Sequence, residues 1–498
     1  MTSSSLPPSF EMVFFGTLSG LSIFICESSD QFWLSCVCLV PACIGISRCE
    51  QVKPCCILAV AIAAVWAIPK LHWMWECCSF AVKEPGFAWL FLTLGIAAGL
   101  ALSLLLLWYF HSYGCLFCIA LPTAWLFWEE CTDAFLRIGL WTTADIIRLP
   151  QTQYGDTPLL QVCSLGGISL VTWVICALNG LFADAARLFL SRKHWPLNSD
   201  ESVQITSAVM LTGVILTACT VGKTEDRDQE IVALVGVDVE QLRHDSFREL
   251  LQSHAVDVVL FPENSTVEWL HPGMRSMQNL ADSANTQASV IVGGKRLDDE
   301  GRAFVSALMV RSGQRIQYAD KRFPAPISDC QPPLARFGGI PARFAGQFAD
   351  GPQYLTISDH IRVGTGICHD VCFAEWGRSY YPNPPCCFVN LGSESFTSSS
   401  QLKRRILNCV RWRAIETRRC IVRSVRSGTS GLIDDRGSVR SVQTPSLKPF
   451  RVRIDSEKSV FSSVGRWASH LIWGASLAGC VIVRYREVRC DCASRLAE

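Results

Sequence analysis

Residues 361–377 read I-R-V-G-T-G-I-C-H-D-V-C-F-A-E-W-G. An apolar run of β-branched and small residues (Ile361, Val363, Thr365, Ile367) carries the chain as a strand into Cys368. His369 and Asp370 follow, and then a helix is predicted over Val371 to Tyr381. A thiol placed where a strand ends and a helix begins lies beside the helix's positive end, which predicts a lowered pKa and a reactive thiolate. Two earlier strand ends supply partners: Glu263 closes V-D-V-V-L-F-P-E, and Lys321 closes R-I-Q-Y-A-D-K. Each residue alone has a plainer reading. The chain holds 25 cysteines, most cysteines are small buried apolar groups, and a lone strand-end Glu or Lys is an ordinary surface charge. The signal is the ordered set Glu, Lys, Cys, each after an apolar strand and within one domain-sized segment, which points to covalent catalysis.

At 498 residues the chain has room for two or more folded units. A hydrophobic share of 49% and a mean hydropathy of +0.26 point to a partly membrane-embedded protein. A net charge of +1 supplies no phosphate-seeking field, which argues against a nucleic-acid partner. Many cysteines lie in apolar segments (Cys26, Cys36, Cys38, Cys43, Cys55, Cys56, Cys163, Cys176, Cys219), so they do not read as a disulfide framework. Cys115-Leu-Phe-Cys118 sits in an apolar run without histidines at metal spacing and reads as packing, not zinc.

Up to about Lys223 the sequence is a series of apolar runs, near 9–26, 31–47, 54–69, 87–110, 113–128, 158–183 and 204–222. An eighth, Trp467 to Val483, follows a long polar segment. Most approach the ~17–25 residues needed to cross a hydrocarbon core, although the second, third and fifth are short. The expected organisation is a helical membrane domain over 1–223, an extracytoplasmic domain over 224–463, and a final span with a short cytoplasmic tail over 464–498. Orientation follows from basic residues. Arg48 and Lys53, then Arg187, Arg192 and Lys193, then Arg484, Arg486 and Arg489 share one side if the amino terminus is cytoplasmic, with Lys70 and Lys83 as exceptions. The first run lacks a basic n-region, so no cleavable signal peptide is expected. Trp73, Trp75, Trp141 and Trp467 suit headgroup-level anchors. The spans lack paired intramembrane charges, apart from Glu129 and Glu130 at the end of the fifth run, which weighs against a transporter.

The polar segment alternates strands and helices. Strands are predicted at Ile231–Val239, Val256–Glu263, Ala288–Gly294, Phe304–Val310, Arg315–Tyr318, Ile361–Cys368, Cys387–Gly392, Cys420–Val425 and Gly431–Asp434, with helices at Glu240–His254, Val371–Tyr381 and Gln401–Thr417. That mixture points to a layered α/β domain. The arginine-rich stretch Lys403 to Arg426 reads as a solvated or headgroup-facing helix, and Pro324 to Pro341 as a loop able to cover the site.

These motifs resemble those of the nitrilase (carbon–nitrogen hydrolase) superfamily and, within it, the bacterial apolipoprotein N-acyltransferases. Leu121–Arg137 and Thr157–Trp173 are similar to that family's membrane segments, although its "TGFPW" loop stands here as Leu140-Trp-Thr-Thr. L-F-P-E-N-S, Y-A-D-K-R-F-P-A-P-I-S-D and G-I-C-H-D-V correspond to its glutamate, lysine and cysteine motifs. The resemblance implies an αββα sandwich joined to a polytopic helical membrane domain of about eight spans. It implies Glu263 as general base, Lys321 as oxyanion stabiliser and Cys368 as nucleophile, with Asp329, His369, Asp370 and Glu416 in support. It departs at Val305, where the family often has Asn, at Ser393–Thr397, which replaces N-D-A-W-F, and at His369, which replaces Tyr.

What the resemblance implies is acyl transfer from a phospholipid donor to a diacylglyceryl apolipoprotein acceptor in the bacterial inner membrane. The catalytic domain would face the periplasm, with no cofactor, no metal and no nucleic acid, in a chain acting as a monomer. A membrane-bound amidase or nitrilase-type hydrolase and a catalytically silent lipoprotein-binding protein are the alternatives.

Overall fold

The computed structural model describes residues 7–29, 32–68, 75–76, 85–140, 142–155, 158–190, 202, 204–210, 212–213, 229–235, 249, 256–265, 288–325, 329, 346–441, 450–454, 471, 473–483 and 485. The expected helix Glu240–His254 and most of the loop Pro324 to Pro341 lie outside these, as do Trp73, Trp141 and Trp467. The chain divides into two units: Met1–Ala134 with Ile147–Gly222 and Val464–Glu498, and Phe135–Ile146 with Lys223–Ser463.

The first unit is helical, with α1 (Pro8–Ser28), α2 (Val40–Ser47), α3 (Val52–Ile62), α4 (Pro85–Ser112), the start of α5 (Phe117–Leu140) and α6 (Cys163–Leu190). Among the described residues three helices are long and apolar enough to cross a membrane: Pro8–Ser28, Trp89–Ser112 and Pro158–Leu190. Phe32–Ser47, Val52–Trp66 and Trp473–Val483 are apolar but shorter, so fewer than the eight expected runs qualify on their own length. The last long run is not one continuous helix, because Gly166 and Gly167 leave helical geometry and kink it, with Gly167 at φ 72°.

Buried polar groups fix this unit's connections, as apolar surroundings demand that each be partnered. Asp184 on α6 accepts the Phe117 and Cys118 N–H groups at 3.2 and 3.0 Å, satisfying donors that the first turn of α5 leaves free. Glu129 and Glu130 are not isolated charges. Arg148 pairs with both, at 3.2 and 3.0 Å, and Glu129 also accepts from Trp125, Thr172 and the Leu149 N–H. A carboxylate so fully engaged pins the irregular segment Leu149–Thr152 within the bundle.

The second unit holds two six-stranded sheets. One runs in the order β12-β1-β2-β3-β4-β5 (Phe450–Ile454, Gln229–Val235, Val258–Phe261, Ser289–Leu297, Ala303–Val310, Gln317–Asp320). The other runs β11-β10-β9-β8-β7-β6 (Val439–Ser441, Gly431–Ile433, Ile421–Arg426, Cys387–Ser393, Ile361–Ile367, Tyr354–Ser358). Strands β1-β2-β3 and β7-β8-β9 pair in parallel, and the outer strands pair antiparallel. Fully buried parallel strands read as continuous apolar runs, as V-V-L-F in β2 does. The sheets share a core in which Val258, Leu260, Ile291, Ala307 and Met309 meet Leu355, Val363, Val389, Leu391 and Val422.

The outer face of the second sheet is covered by α7 (Ala374–Arg378) and α8 (Ser400–Thr417), with Trp376, Tyr380, Phe388, Val410, Ala414 and Ile421 forming a second core. Three layers of the expected sandwich are thus described. The helix predicted from Val371 is shorter than expected: Cys368–Cys372 is a 3-10 turn, and α7 starts at Ala374. Most arginines of α8 do not face solvent. Arg405, Arg411, Arg413 and, beyond the helix, Arg419 and Arg423 are buried. Four of them donate to backbone carbonyls, namely those of Ile146, Gly437, Pro385 and Thr429. A guanidinium has a fork of donors and a long apolar stem, so it fills interior space while satisfying carbonyls left unpaired at loop ends.

Trp376 is fully buried, and its indole N–H donates to the Thr365 carbonyl at 2.7 Å. Trp376→Ala should therefore destabilise the unit by about 3–5 kcal/mol, measurable as a lowered thermal midpoint of the detergent-solubilised protein.

Candidate active site

Glu263 and Lys321 each stand just past the carboxyl end of a strand of the first sheet, β2 and β5. The two strands point the same way, because β2 is parallel to β3 and two antiparallel steps separate β3 from β5. Lys321 is held at its backbone by donating its N–H to the Val305 carbonyl at 2.8 Å. Glu263 comes close to β3 because Gly293 has no side chain: a Cβ there would lie 2.6 Å from the Glu263 Cα. Cys368 follows β7 of the second sheet and adopts a left-handed backbone conformation at φ 48°. Such a conformation costs a residue with a Cβ roughly 1–3 kcal/mol and persists only where its surroundings enforce it.

The structure brings the three residues together. The Lys321 Nζ lies 3.6 Å from Glu263 Oε1 and 2.7 Å from Asp329 Oδ2. Cys368 lies beside Glu263, whose charge acts on the thiol, and its sulfur is 4.0 Å from the Ser393 carbonyl oxygen. Glu263, Lys321 and Asp329 are all buried, and Lys321 retains only 1% exposure.

Electrostatics follow from that burial. Desolvation raises the Glu263 pKa above the ordinary carboxylate value, against the lowering influence of Lys321 and with further upward help from Asp329. Burial alone would lower the Lys321 pKa, but Asp329 and Glu263 outweigh it and hold the ammonium well above its usual value. The Cys368 thiol is pushed well above its usual value, first by burial and then by Glu263, with Lys321 opposing. This reverses the expectation from the helix end. The first turn after the sulfur is a short 3-10 segment, too small a dipole to offset burial beside a carboxylate. At rest Cys368 is held as a thiol, and the neighbouring Glu263 carboxylate, its own pKa raised by burial, is suited to accept a proton.

The expected supporting residues divide. Asp329 contacts Lys321 and also accepts the Ala325 N–H at 2.8 Å. Asp370 is buried and accepts the N–H groups of Ile367, Phe323 and Arg322 at 2.9, 2.7 and 3.2 Å. It ties the turn bearing the nucleophile to the segment just after Lys321. Burial raises its pKa to about 6, with Lys321 and these N–H groups pulling the other way. His369 lies 2.9 Å from the Thr142 hydroxyl. Glu416 is apart from the cluster, paired with Arg413 at 3.3 Å, and that arginine also reaches Asp145 at 3.2 Å.

The sequence reading missed Thr142, the Ser393 carbonyl and the pairing of Glu394 with Arg423, which also donates to Asn390 at 2.7 Å. Thr142 lies in the altered loop after α5, and only the polar pair Thr142-Thr143 marked it. Among the described residues no group of His, Cys, Asp and Glu has the makings of a metal site.

Three comparisons bear on this chain. Residues 18–181 match a family model described as the apolipoprotein N-acyltransferase N-terminal domain. The chain is 23% identical over 405 residues to the apolipoprotein N-acyltransferase of Geobacter metallireducens, covering 74% of this chain and 75% of that protein. It is 23% identical over 432 residues to that of Pseudomonas aeruginosa strain PAO1, covering 78% and 82%. Among solved structures, a carbon–nitrogen hydrolase from Helicobacter pylori G27 is 15% identical with a TM-score of 0.35, covering 49% of this chain and 94% of that one. The resemblance to apolipoprotein N-acyltransferases read from the motifs is borne out by the family match and these relatives.

If the thiol is held protonated as described, alkylation of Cys368 by iodoacetamide should titrate above the free-cysteine value of about 8.5. Peptide mass spectrometry across a pH series would detect this, and rapid labelling at neutral pH would contradict it.

Proposed function

We propose that this chain is an apolipoprotein N-acyltransferase in the bacterial inner membrane, moving an acyl chain from a phospholipid to the α-amino group of a diacylglyceryl-cysteine. The observation that carries the reading is a cluster of buried Glu263 and Lys321 with half-buried Cys368, in a chain whose helical region matches the family's amino-terminal domain. Apolar helices suited to a bilayer agree with substrates whose acyl chains stay there. The distribution of basic residues favours a periplasmic sheet unit joined to a helical membrane unit.

In the first half-reaction Glu263 takes the thiol proton and Cys368 Sγ attacks the ester carbonyl. The C–S bond forms, the ester C–O bond breaks, and the departing lysophospholipid oxygen takes the proton back from Glu263. In the second, the acceptor's amine attacks the thioester, the C–N bond forms and the C–S bond breaks. Glu263 receives the amine proton and returns it to the sulfur. Lys321 stabilises the oxyanion of each tetrahedral intermediate, with the His369 backbone N–H as second donor; loss of one such donor in other enzymes costs about 10²–10³ in rate. Asp329 keeps Lys321 charged while Glu263 changes protonation.

Incubation with phospholipid should place an acyl mass on the Cys368 peptide, removable by hydroxylamine and transferable to a diacylglyceryl-cysteine peptide. Cys368→Ser and Glu263→Gln should abolish the adduct, and Lys321→Met should slow its formation by about 10²-fold or more. Release of free fatty acid without acceptor modification would favour a hydrolase instead. Since Glu263 must be ionised to act and its pKa is raised, adduct formation should fall on acidification with a midpoint above about 4.3, the usual glutamate value.

A further inference from the structure

Cys368 sits in a left-handed conformation, so the peptide joining it to His369 needs fastening on both sides. One fastening is the Asp370 carboxylate, bonded to the Ile367, Phe323 and Arg322 N–H groups. The other leads outward through the His369 ring. Its Nε2 lies 2.9 Å from Thr142 Oγ1, and it stands edge-on to Phe373 with centroids 5.2 Å apart.

Thr142 belongs to residues 135–146, a strap that groups with the sheets although it continues a helix of the other unit. The strap is firmly moored. Asp145 pairs with the fully buried Arg413 at 3.2 Å, and the Ile146 carbonyl accepts from Arg405 at 2.9 Å. Arg137 meets Glu375 at 3.1 Å and lies 5.3 Å from the centre of the Phe373 ring. The Arg137–Glu375 pair is exposed and so contributes little by itself; the buried Asp145–Arg413 contact is the one that fixes the strap.

We propose that His369 is a positioning residue: by bonding to Thr142 on this moored strap it fixes the orientation of the peptide after the nucleophile, and with it the N–H that faces the developing oxyanion. The inference rests on the acyltransfer reading above. Its consequence is specific. Loss of the tether leaves substrate binding alone and slows the chemical step, because displacement of a catalytic group by about 1 Å is enough to cost as much as 10²-fold. The imidazole itself exchanges no proton with substrate.

The test is single-turnover formation of the Cys368 thioester by the full chain, in mixed detergent micelles of phosphatidylethanolamine and phosphatidylglycerol. Thr142→Val, nearly isosteric, and His369→Phe should each lower the maximal rate by about 10-fold with half-saturating phospholipid unchanged, a loss intermediate between one hydrogen bond and a misplaced group. The double variant should be no slower than either single one, since both cut the same link. Thr142→Ser and His369→Gln, which restore a hydrogen-bonding group near the same place, should recover most of the rate, and thermal midpoints report folding separately. Wild-type rates in Thr142→Val, losses that multiply, or a shift confined to half-saturation would overturn the proposal. Absence of a thioester on the wild-type chain would instead overturn the acyltransfer reading, and this inference with it.

Discussion

One buried ammonium organises the candidate site. Lys321 is almost wholly removed from water and lies between two carboxylates, 2.7 Å from Asp329 and 3.6 Å from Glu263. An ion so placed is tolerable only with partners, since an unpaired buried charge is strongly destabilising. The inequality of the two distances matters. Asp329 supplies the close pairing that keeps the lysine protonated, so Glu263 is only partly compensated and remains proton-hungry, as its raised pKa shows. Two carboxylates around one ammonium are thus unequal: Asp329 maintains the cation, and Glu263 keeps a raised pKa.

The same arithmetic explains the state of the sulfur. A thiolate beside Glu263 and Asp329 would put further negative charge into a desolvated space, and Lys321 cannot neutralise all of it. The site therefore stores its proton on sulfur until Glu263 accepts it. A thiol held protonated at rest is less open to oxidation and alkylation than a permanently ionised one.

Much of this was legible in the order of residues. Strands β2, β4, β7 and β8 are buried, mostly apolar runs bounded by turn residues, so their periods and ends stood out, and with them Glu263 and Cys368, whereas Lys321 follows the short, half-exposed β5. What was hidden depended on partners far away in the chain. Strand β6, Y-L-T-I-S, is short and half polar and forms because β7 offers it an edge. Strand β12, F-R-V-R-I, pairs with β1 more than two hundred residues earlier. The arginines of α8 looked solvated because charge count says nothing of which carbonyls lack donors. The direction of the thiol pKa was misjudged for a related reason: a helix end is visible in sequence, whereas the desolvation that outweighs it belongs to the assembled sandwich.

The departures from the family's motifs sort by the same logic. Where the family often has Asn, Val305 packs in the core shared by both sheets, and the contact that matters there, its carbonyl accepting the Lys321 N–H, would be made by any residue. Ser393 likewise faces the nucleophile's sulfur through a carbonyl, so the altered loop keeps the contact whatever its side chains. Asp370 works through its side chain instead, and the three N–H groups it binds converge on it within 2.7–3.2 Å. In the proposed reaction Glu263, Lys321 and Cys368 would have no such latitude, since the atoms assigned to the chemistry are at the ends of their side chains. Sequence drift is thus cheap at positions where the main chain makes the contact, and a shell altered at Val305 and Ser393 can still frame an intact centre.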